Sequence, residues 1–316
     1  MTGLANARVL ATGLRFPAGP VALPDGSLLC VELLAGRLVR IGPDGEIDVV
    51  AELGGSPNGA AIGPDGAAYV CNSGGFASTD LGWLLLPQGP HHETEPDDYI
   101  GGRVQRVDLA TGQWSDLYTE VDGHALRGPN DLVFDGTGGF WFTDHGKRRA
   151  RDEDRGGLYY ARPDGSSVRE VVYPLDAPNG VGLSPDGQRV HVAETHTGRL
   201  WAWDLSGPGE LATGGEGPGG DGRTLVAGLP GYQLFDSLAV EAGGTVCVAT
   251  LVNGGISRIS PTGDVEHLAA DGELFDPLVT NICFGGPDQR TAWITLSGTG
   301  RVVVCDWPEP GLELAC

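Results

Sequence analysis

Five residues recur where a polar side chain meets the start of a short apolar run: Asn58, Asn130, Asn179, Asp236 and Asn281. Ala18 stands at the same place in a sixth run. Counting forward from these six anchors to the end of the next apolar run reaches Glu32, Asn72, Asp144, Glu194, Thr250 and Leu296. The separations are 14, 14, 14, 15, 14 and 15 residues. Amide and carboxylate oxygens without thiolates suit a hard divalent cation, above all Ca2+, with Zn2+, Mn2+ or Mg2+ as alternatives. Asparagine oxygens alone make a weak site, so the charge of Asp236 matters. The competing assignment is that such residues only bond turn backbone, as Asn and Asp commonly do at strand starts. His145 and His196 follow Asp144 and Glu194 closely, and imidazoles titrating near neutrality serve as acid or base. Arg127 is placed to meet an anionic or carbonyl oxygen.

The elements that would carry these residues follow from the turns. Pro24-Asp25-Gly26, Pro64-Asp65-Gly66 and Pro185-Asp186-Gly187 separate paired apolar runs, and Asp135-Gly136, Gly243-Gly244 and Pro287-Asp288 occupy the same place elsewhere. Residues of these types suit hairpin turns. A third run opens with Gly36, Gly102, Gly157, Gly198, Gly255 and Gly300, and a fourth follows in every repeat but the last. The segment Arg8 to Leu14 resembles the fourth run Arg223 to Leu229 and can complete the last repeat. Six four-stranded units closed by the N-terminal strand describe an all-β, six-bladed β-propeller. It is expected to form a single domain over residues 1–316. The anchors would then line the central channel, with Glu32, Asn72, Asp144, Glu194, Thr250 and Leu296 as a second ring on the same face. On that reading Asn58, Arg127, Asp144, Glu194 and Glu32 are candidate substrate contacts.

Two insertions interrupt the pattern at the same place, Ser73 to Ile100 in blade two and His145 to Arg155 in blade three. A third, Gly207 to Gly222, is Gly- and Pro-rich and reads as a flexible loop. Long loops on a rigid scaffold often carry function.

Composition narrows the classes. The 53 glycines and 22 prolines would suggest disorder in an aperiodic chain, but here they fall at the repeat turns. A formal charge of −22 with one lysine, Lys147, repels phosphate backbones and anionic bilayers, so neither nucleic acid nor membrane is an expected partner. The N-terminus lacks the pattern of a signal peptide, and no run of 18 apolar residues occurs, so a cytoplasmic location is expected. The six cysteines form no CxxC pair and lie in apolar runs, which reads as buried free thiols.

The segments Phe16-Pro17-Ala18-Gly19-Pro20-Val21, Gly128-Pro129-Asn130-Asp131, Ala177-Pro178-Asn179-Gly180 and Asp236-Ser237-Leu238-Ala239-Val240 resemble the senescence marker protein / gluconolactonase / luciferin-regenerating enzyme family over nearly the whole chain. The resemblance implies a six-bladed propeller with one divalent metal in its channel, acting on small-molecule lactones or related esters. Its metal ligands fall on Asn130, Asn179 and Asp236 here, with Asp236 also implied to activate water. The family's blade-one glutamate falls on Ala18, which carries no donor. Asp236, His145 and His196 are the candidate catalytic residues. Two other readings stay open: a metal-independent enzyme using His145, His196, Asp144 and Glu194, and a non-catalytic propeller that binds a ligand or protein through the blade-two insertion.

Overall fold

The computed structural model describes residues 4, 6–212 and 220–315. Six antiparallel sheets, five of four strands and one of five, are arranged as the blades of a propeller, and the only helix among the described residues is the short 3-10 turn Gly272–Leu274. The inner strands are Pro17–Ala22, Pro57–Ile62, Pro129–Phe134, Pro178–Leu183, Leu234–Val240 and Val279–Gly285. Each pairs with the strand after it, and the third and fourth strands continue outward in order. The sixth sheet takes its outer strand from Arg8–Ala11, which pairs with Arg301–Asp306 as the repeat analysis anticipates.

The expected hairpins are present, and their register explains the near-constant spacing. Pro17 lies opposite Glu32, Pro57 opposite Asn72, Pro129 opposite Asp144, Pro178 opposite Glu194, and Phe235 opposite Thr250. Each second strand therefore returns to the level at which the first began. In blades two to six the register slips just beyond this pair, at the anchor, and in blade one it slips directly after Ala18, which lies opposite Val31. A bulge bends a strand and re-aims its side chains, so the same device turns each anchor at the same height. Blade six departs from the sequence expectation. Val279 lies opposite Leu296, which puts Thr280 at the anchor level and makes Asn281 the counterpart of Asp131.

The inner strands meet almost backbone to backbone. A Cβ at Gly59 would lie 2.5 Å from the Asn130 carbonyl oxygen, and one at Gly180 would lie 2.7 Å from the Leu238 nitrogen. Only glycine permits that approach. Between the blades the core is made of alternating strand residues, such as Phe140, Phe142, Tyr69 and Phe134 between blades two and three. Cys30, Cys71, Cys247 and Cys305 are buried free thiols, and Cys283 is half-buried.

The blade-two insertion carries a small hairpin, Thr79–Asp80 with Leu85–Leu86. At the third insertion the blade-four strand Arg199–Gly207 runs on and pairs with Glu210–Leu211. Residues 213–219 of the expected flexible loop lie outside the described residues.

Beyond blade six the chain runs back along blade five, through Leu312 N–H to the Val240 carbonyl and Ala242 N–H to the Pro310 carbonyl. Glu241 anchors this return. Its buried carboxylate accepts from Arg258 Nε at 2.8 Å, Arg258 Nη2 at 3.0 Å and Trp307 Nε1 at 2.8 Å. These donors hold its carboxyl below the ordinary glutamate value against the opposing effect of burial. Glu241→Ala strips Arg258 and Trp307 of their shared acceptor and should lower stability by about 3 kcal/mol in urea unfolding. A depressed native pKa stabilises above the unfolded value and loses that contribution as pH falls through the native one. The gap between wild type and variant should accordingly be full at neutral pH and shrink below the ordinary glutamate range.

Candidate functional site

The second ring has a different task from the one its position suggested. Glu32 is fully buried, and its carboxylate accepts the Arg15 backbone N–H at 2.7 Å and the Arg37 guanidinium. Asn72 Oδ1 accepts from the Ser56 and Gly74 backbones at 3.0 and 2.9 Å. Asp144 takes three backbone donors, Arg127 and Gly128 at 2.7 Å and Gly146 at 2.8 Å. Glu194 accepts from the Asp176 backbone at 3.0 Å, Thr197 Oγ1 at 2.7 Å and Trp201 Nε1 at 2.9 Å. Each one satisfies N–H groups in the connection that leads into its own blade's inner strand. Glu32, Asp144 and Glu194, expected as substrate contacts, are thus buried and bonded to donors of the chain itself. In blade six, where the ring residue is Leu296, Asp276 takes over by accepting from the Leu278 and Thr299 backbones, both at 2.8 Å.

Arg127 is likewise engaged. Its guanidinium pairs with Glu95 at 2.6 Å and Asp154 at 3.0 Å and lies 5.0 Å from the centroid of the Tyr99 ring. It fastens two loops together.

The anchors of blades three, four and five do come together. Thr143 Oγ1 donates to the Asn179 carbonyl at 2.5 Å and accepts from Asp131 N–H at 3.2 Å. Asn179 Nδ2 donates to Thr195 Oγ1 at 3.1 Å, and Asn179 Oδ1 accepts from Ser237 Oγ at 3.3 Å. Val181 N–H reaches Asp131 Oδ2 at 3.4 Å, and Ser237 N–H reaches Asp236 Oδ1 at 3.0 Å. Asn130 is buried, and its Oδ1 has no hydrogen-bond partner. Ala18 and Asn58 are buried at the same level in blades one and two.

Two carboxylates, the buried Asp131 and the half-buried Asp236, thus lie near one another. Burial pushes Asp236 up to about 8, with the Asp131 charge adding to the effect and the Ser237 and Asn179 hydrogen bonds opposing it. Burial pushes Asp131 up to about 7. No lysine or arginine figures among the groups that shift either one. Asp131 carried no role in the sequence reading, which took one anchor per repeat. The signal was present all the same: an acid stands where Gly19, Gly59 and Gly180 follow three of the other anchors.

The two histidines meet between blades three and four. Their rings are 5.6 Å apart, edge to face, and His196 Nδ1 lies 3.2 Å from Asp176 Oδ1. Burial, aided by the His196 and Lys147 charges, pushes His145 down to about 3, so it stays neutral. His145 N–H donates to the Gly128 carbonyl at 2.9 Å, two residues before Asn130. His196 follows Thr195, the partner of Asn179.

Among the described residues no three His, Cys, Asp or Glu side chains are grouped to hold a metal. A cation here must rely on asparagine oxygens beside Asp236 and Asp131. The donor chemistry fits that use, since it is all oxygen and includes one buried amide oxygen with nothing to accept. A separate cavity of about 510 Å3 lies among insertion and loop residues, including His91, Glu93, Tyr99 and Arg149, away from the anchors.

The comparisons with known proteins agree with this architecture. A family model described as "SMP-30/Gluconolactonase/LRE-like region" matches residues 16–298. Lactonase drp35 of Staphylococcus saprophyticus is 29% identical over 247 residues, covering 76% of this chain and 66% of that protein. Lactonase drp35 of Staphylococcus haemolyticus is 28% identical over 241 residues, covering 76% of this chain and 64% of that protein. The chain spans just under two thirds of the length of these curated relatives. Among solved structures, a gluconolactonase from Xanthomonas campestris superposes with a TM-score of 0.72 at 22% identity, over 98% of this chain and 91% of the other. A calcium-binding protein, regucalcin, from Agrobacterium tumefaciens gives 0.70 at 19%, over 98% and 97%. These likenesses establish the fold.

The commitment of Asp144 to three backbone donors gives a test separate from chemistry. Asp144→Ala leaves those N–H groups without their acceptor and should cost about 3 kcal/mol in urea unfolding, at roughly 1 kcal/mol for each bond lost. Asp144→Asn keeps one acceptor oxygen and should lose less.

Proposed function

Because the chain belongs to the SMP-30/gluconolactonase/LRE-like family, we propose that it hydrolyses a lactone or related cyclic ester at the mouth of its central channel. Asn130, Asn179 and Asp236 would hold a divalent cation there, Ca2+ above all. The observation that carries this reading is Asn130 Oδ1, which is buried without a partner in a cluster with the buried carboxylate of Asp131 and the half-buried one of Asp236. A buried polar atom left unsatisfied costs roughly 1–3 kcal/mol, so the arrangement makes sense if something positive completes it. Asp131 would supply the second negative charge that Ala18 does not.

A bound divalent cation supplies Lewis-acid polarisation of an ester carbonyl. The chain's own residues do the rest. Asp236 accepts a proton from the attacking water, and Asn130 and Asn179 fix the direction from which the ester presents itself. His196, oriented by Asp176, returns a proton to the departing alkoxide, while neutral His145 packs its ring against it.

Elemental analysis and a panel of lactones, run on this chain and on Ala18→Glu, test the proposal. Both forms should retain a divalent ion and open at least one lactone, with affinity higher by about 10–100-fold in the glutamate form. Asp236→Asn should lose at least about 100-fold in kcat, the lower end expected for removing a general base. If neither form held a metal or opened any lactone, the reading would fail.

The contact of His145 with the Asp176–His196 pair favours a second reading, acid–base catalysis that needs no metal. Activity that survives chelation and disappears in His196→Ala would select it.

A further inference from the structure

The segment 73–100 leaves blade two at the mouth, directly after Asn72, and is fastened on both sides. Toward blade three, Thr94 N–H donates to the Arg148 carbonyl at 2.8 Å, and Thr94 Oγ1 accepts from Arg148 N–H at 2.9 Å. Glu95 pairs with Arg127 and Arg149 at 2.6 and 3.2 Å. Toward blade six, Leu85 N–H donates to the Gly298 carbonyl at 2.7 Å. Leu84 is buried there, and a Cβ added to Gly298 would lie 2.4 Å from Leu84 Cδ1. Gly298 follows the second strand of blade six, so this fastening is also on the mouth side. Blade one lies between blades two and six, so the segment reaches past it along the mouth face.

The pin on the blade-three side is Lys147, the only lysine in the sequence. It is 1% exposed. Its Nζ donates to the Gly75 carbonyl at 2.5 Å and sits 3.8 Å from the centroid of the Phe76 ring, with the Tyr99 ring at 5.8 Å. Gly75, Phe76 and Tyr99 all belong to the segment, so it wraps an ammonium that another blade provides. An ammonium this deeply buried is rare unless it is paired. Burial pushes it down to about 7, against the charges of Asp144, Glu95 and Asp154, and its direct partners are the ring faces and one carbonyl. A desolvated cation on an aromatic face is a strong contact for its size.

We infer that segment 73–100, pinned to blade three by Lys147 and to blade six by Leu84 and Leu85, is a fixed roof over the channel mouth. It sets the size of ligand admitted, favouring compact cyclic esters over those bearing long acyl substituents. The preference among esters rests on the hydrolase reading above, whereas the roof does not.

Access to the channel can be measured without any enzymatic activity. Asn58→Cys places a thiol at the anchor level of blade two, and the parent chain provides the blank for its native thiols. N-ethylmaleimide and a polymer-linked maleimide then report small and bulky access. With the roof pinned, the small reagent should react far faster. Adding Lys147→Met or Leu84→Ser should reduce the ratio of the two rates by roughly tenfold or more, the weight of one desolvated cation–π contact. Hydrogen exchange of the Leu85, Thr94 and Glu95 amides should accelerate in the same variants. Thermal melts identify whichever variant keeps its fold. Equal labelling of the pinned protein by both reagents would overturn the inference, as would an unchanged ratio in a folded variant whose amides exchange faster.

The kinetic arm uses chains with native Asn58. Either loosened variant should lower KM for a long-acyl lactone while leaving kcat for a compact one unchanged. A purely structural role would lower both activities together. If no lactone reacts, the hydrolase reading fails, and the labelling ratio still judges the roof.

Discussion

Where each inner strand enters the mouth, its backbone N–H groups leave the sheet ladder before another partner is available. Buried donors of this kind must be satisfied. Glu32, Asn72, Asp144 and Glu194 do this from the ends of their second strands, and Asp276 does it for blade six. The rest of the mouth depends on this constraint. It fixes the height at which each chain turns inward, and with it the height of the bulge and the direction of the anchor. Only after those acceptors are committed does a cluster such as Asn130, Asp131, Asn179 and Asp236 have a defined shape.

The ring was legible because its period is short and its turns are explicit. Pro-Asp-Gly between two apolar runs dictates a hairpin, and six hairpins of nearly equal length dictate a repeat. The closing strand was legible too, since Arg8–Ala11 has the pattern of an outer strand. What each polar residue does at a strand end was not. Glu194 and Asp236 look alike in sequence, yet one accepts from backbone and side-chain donors while the other faces a second carboxylate. That difference depends on which donors the neighbouring connection brings near, and these come from residues 16 to 18 positions away. Asp131 was hidden by counting one anchor per repeat. The blade-six anchor was misplaced by one residue because a bulge alters register without altering composition. The docking of the insertion on blades three and six depends on contacts between distant repeats, which no local pattern encodes.

Charge is distributed in an instructive way. The chain carries twice as many acids as bases, yet most basic side chains with a described partner lie against a particular carboxylate, as Arg37, Arg149 and Arg258 do. Those pairs tie strands and loops together. Asp131 and Asp236 are different, being close enough to act on one another with no basic partner. Lys147 is buried too, touching ring faces and a carbonyl oxygen directly while Asp144, Glu95 and Asp154 act on it from further away.

The pairing of Arg8–Ala11 with Arg301–Asp306 bears on how the molecule is made. A ribosome delivers the first partner long before the last, so this sheet can be completed only when nearly the whole chain has emerged. Until then, blade one and the latest blade each present an inner strand without its neighbour, and such surfaces invite wrong associations. Joining two ends so far apart also carries a high loop-closure entropy, which slows folding. The same adjacency makes the two ends of the ring natural points to join. A permuted chain opened between two other blades would carry this closure as an ordinary local hairpin and should reach the closed ring sooner.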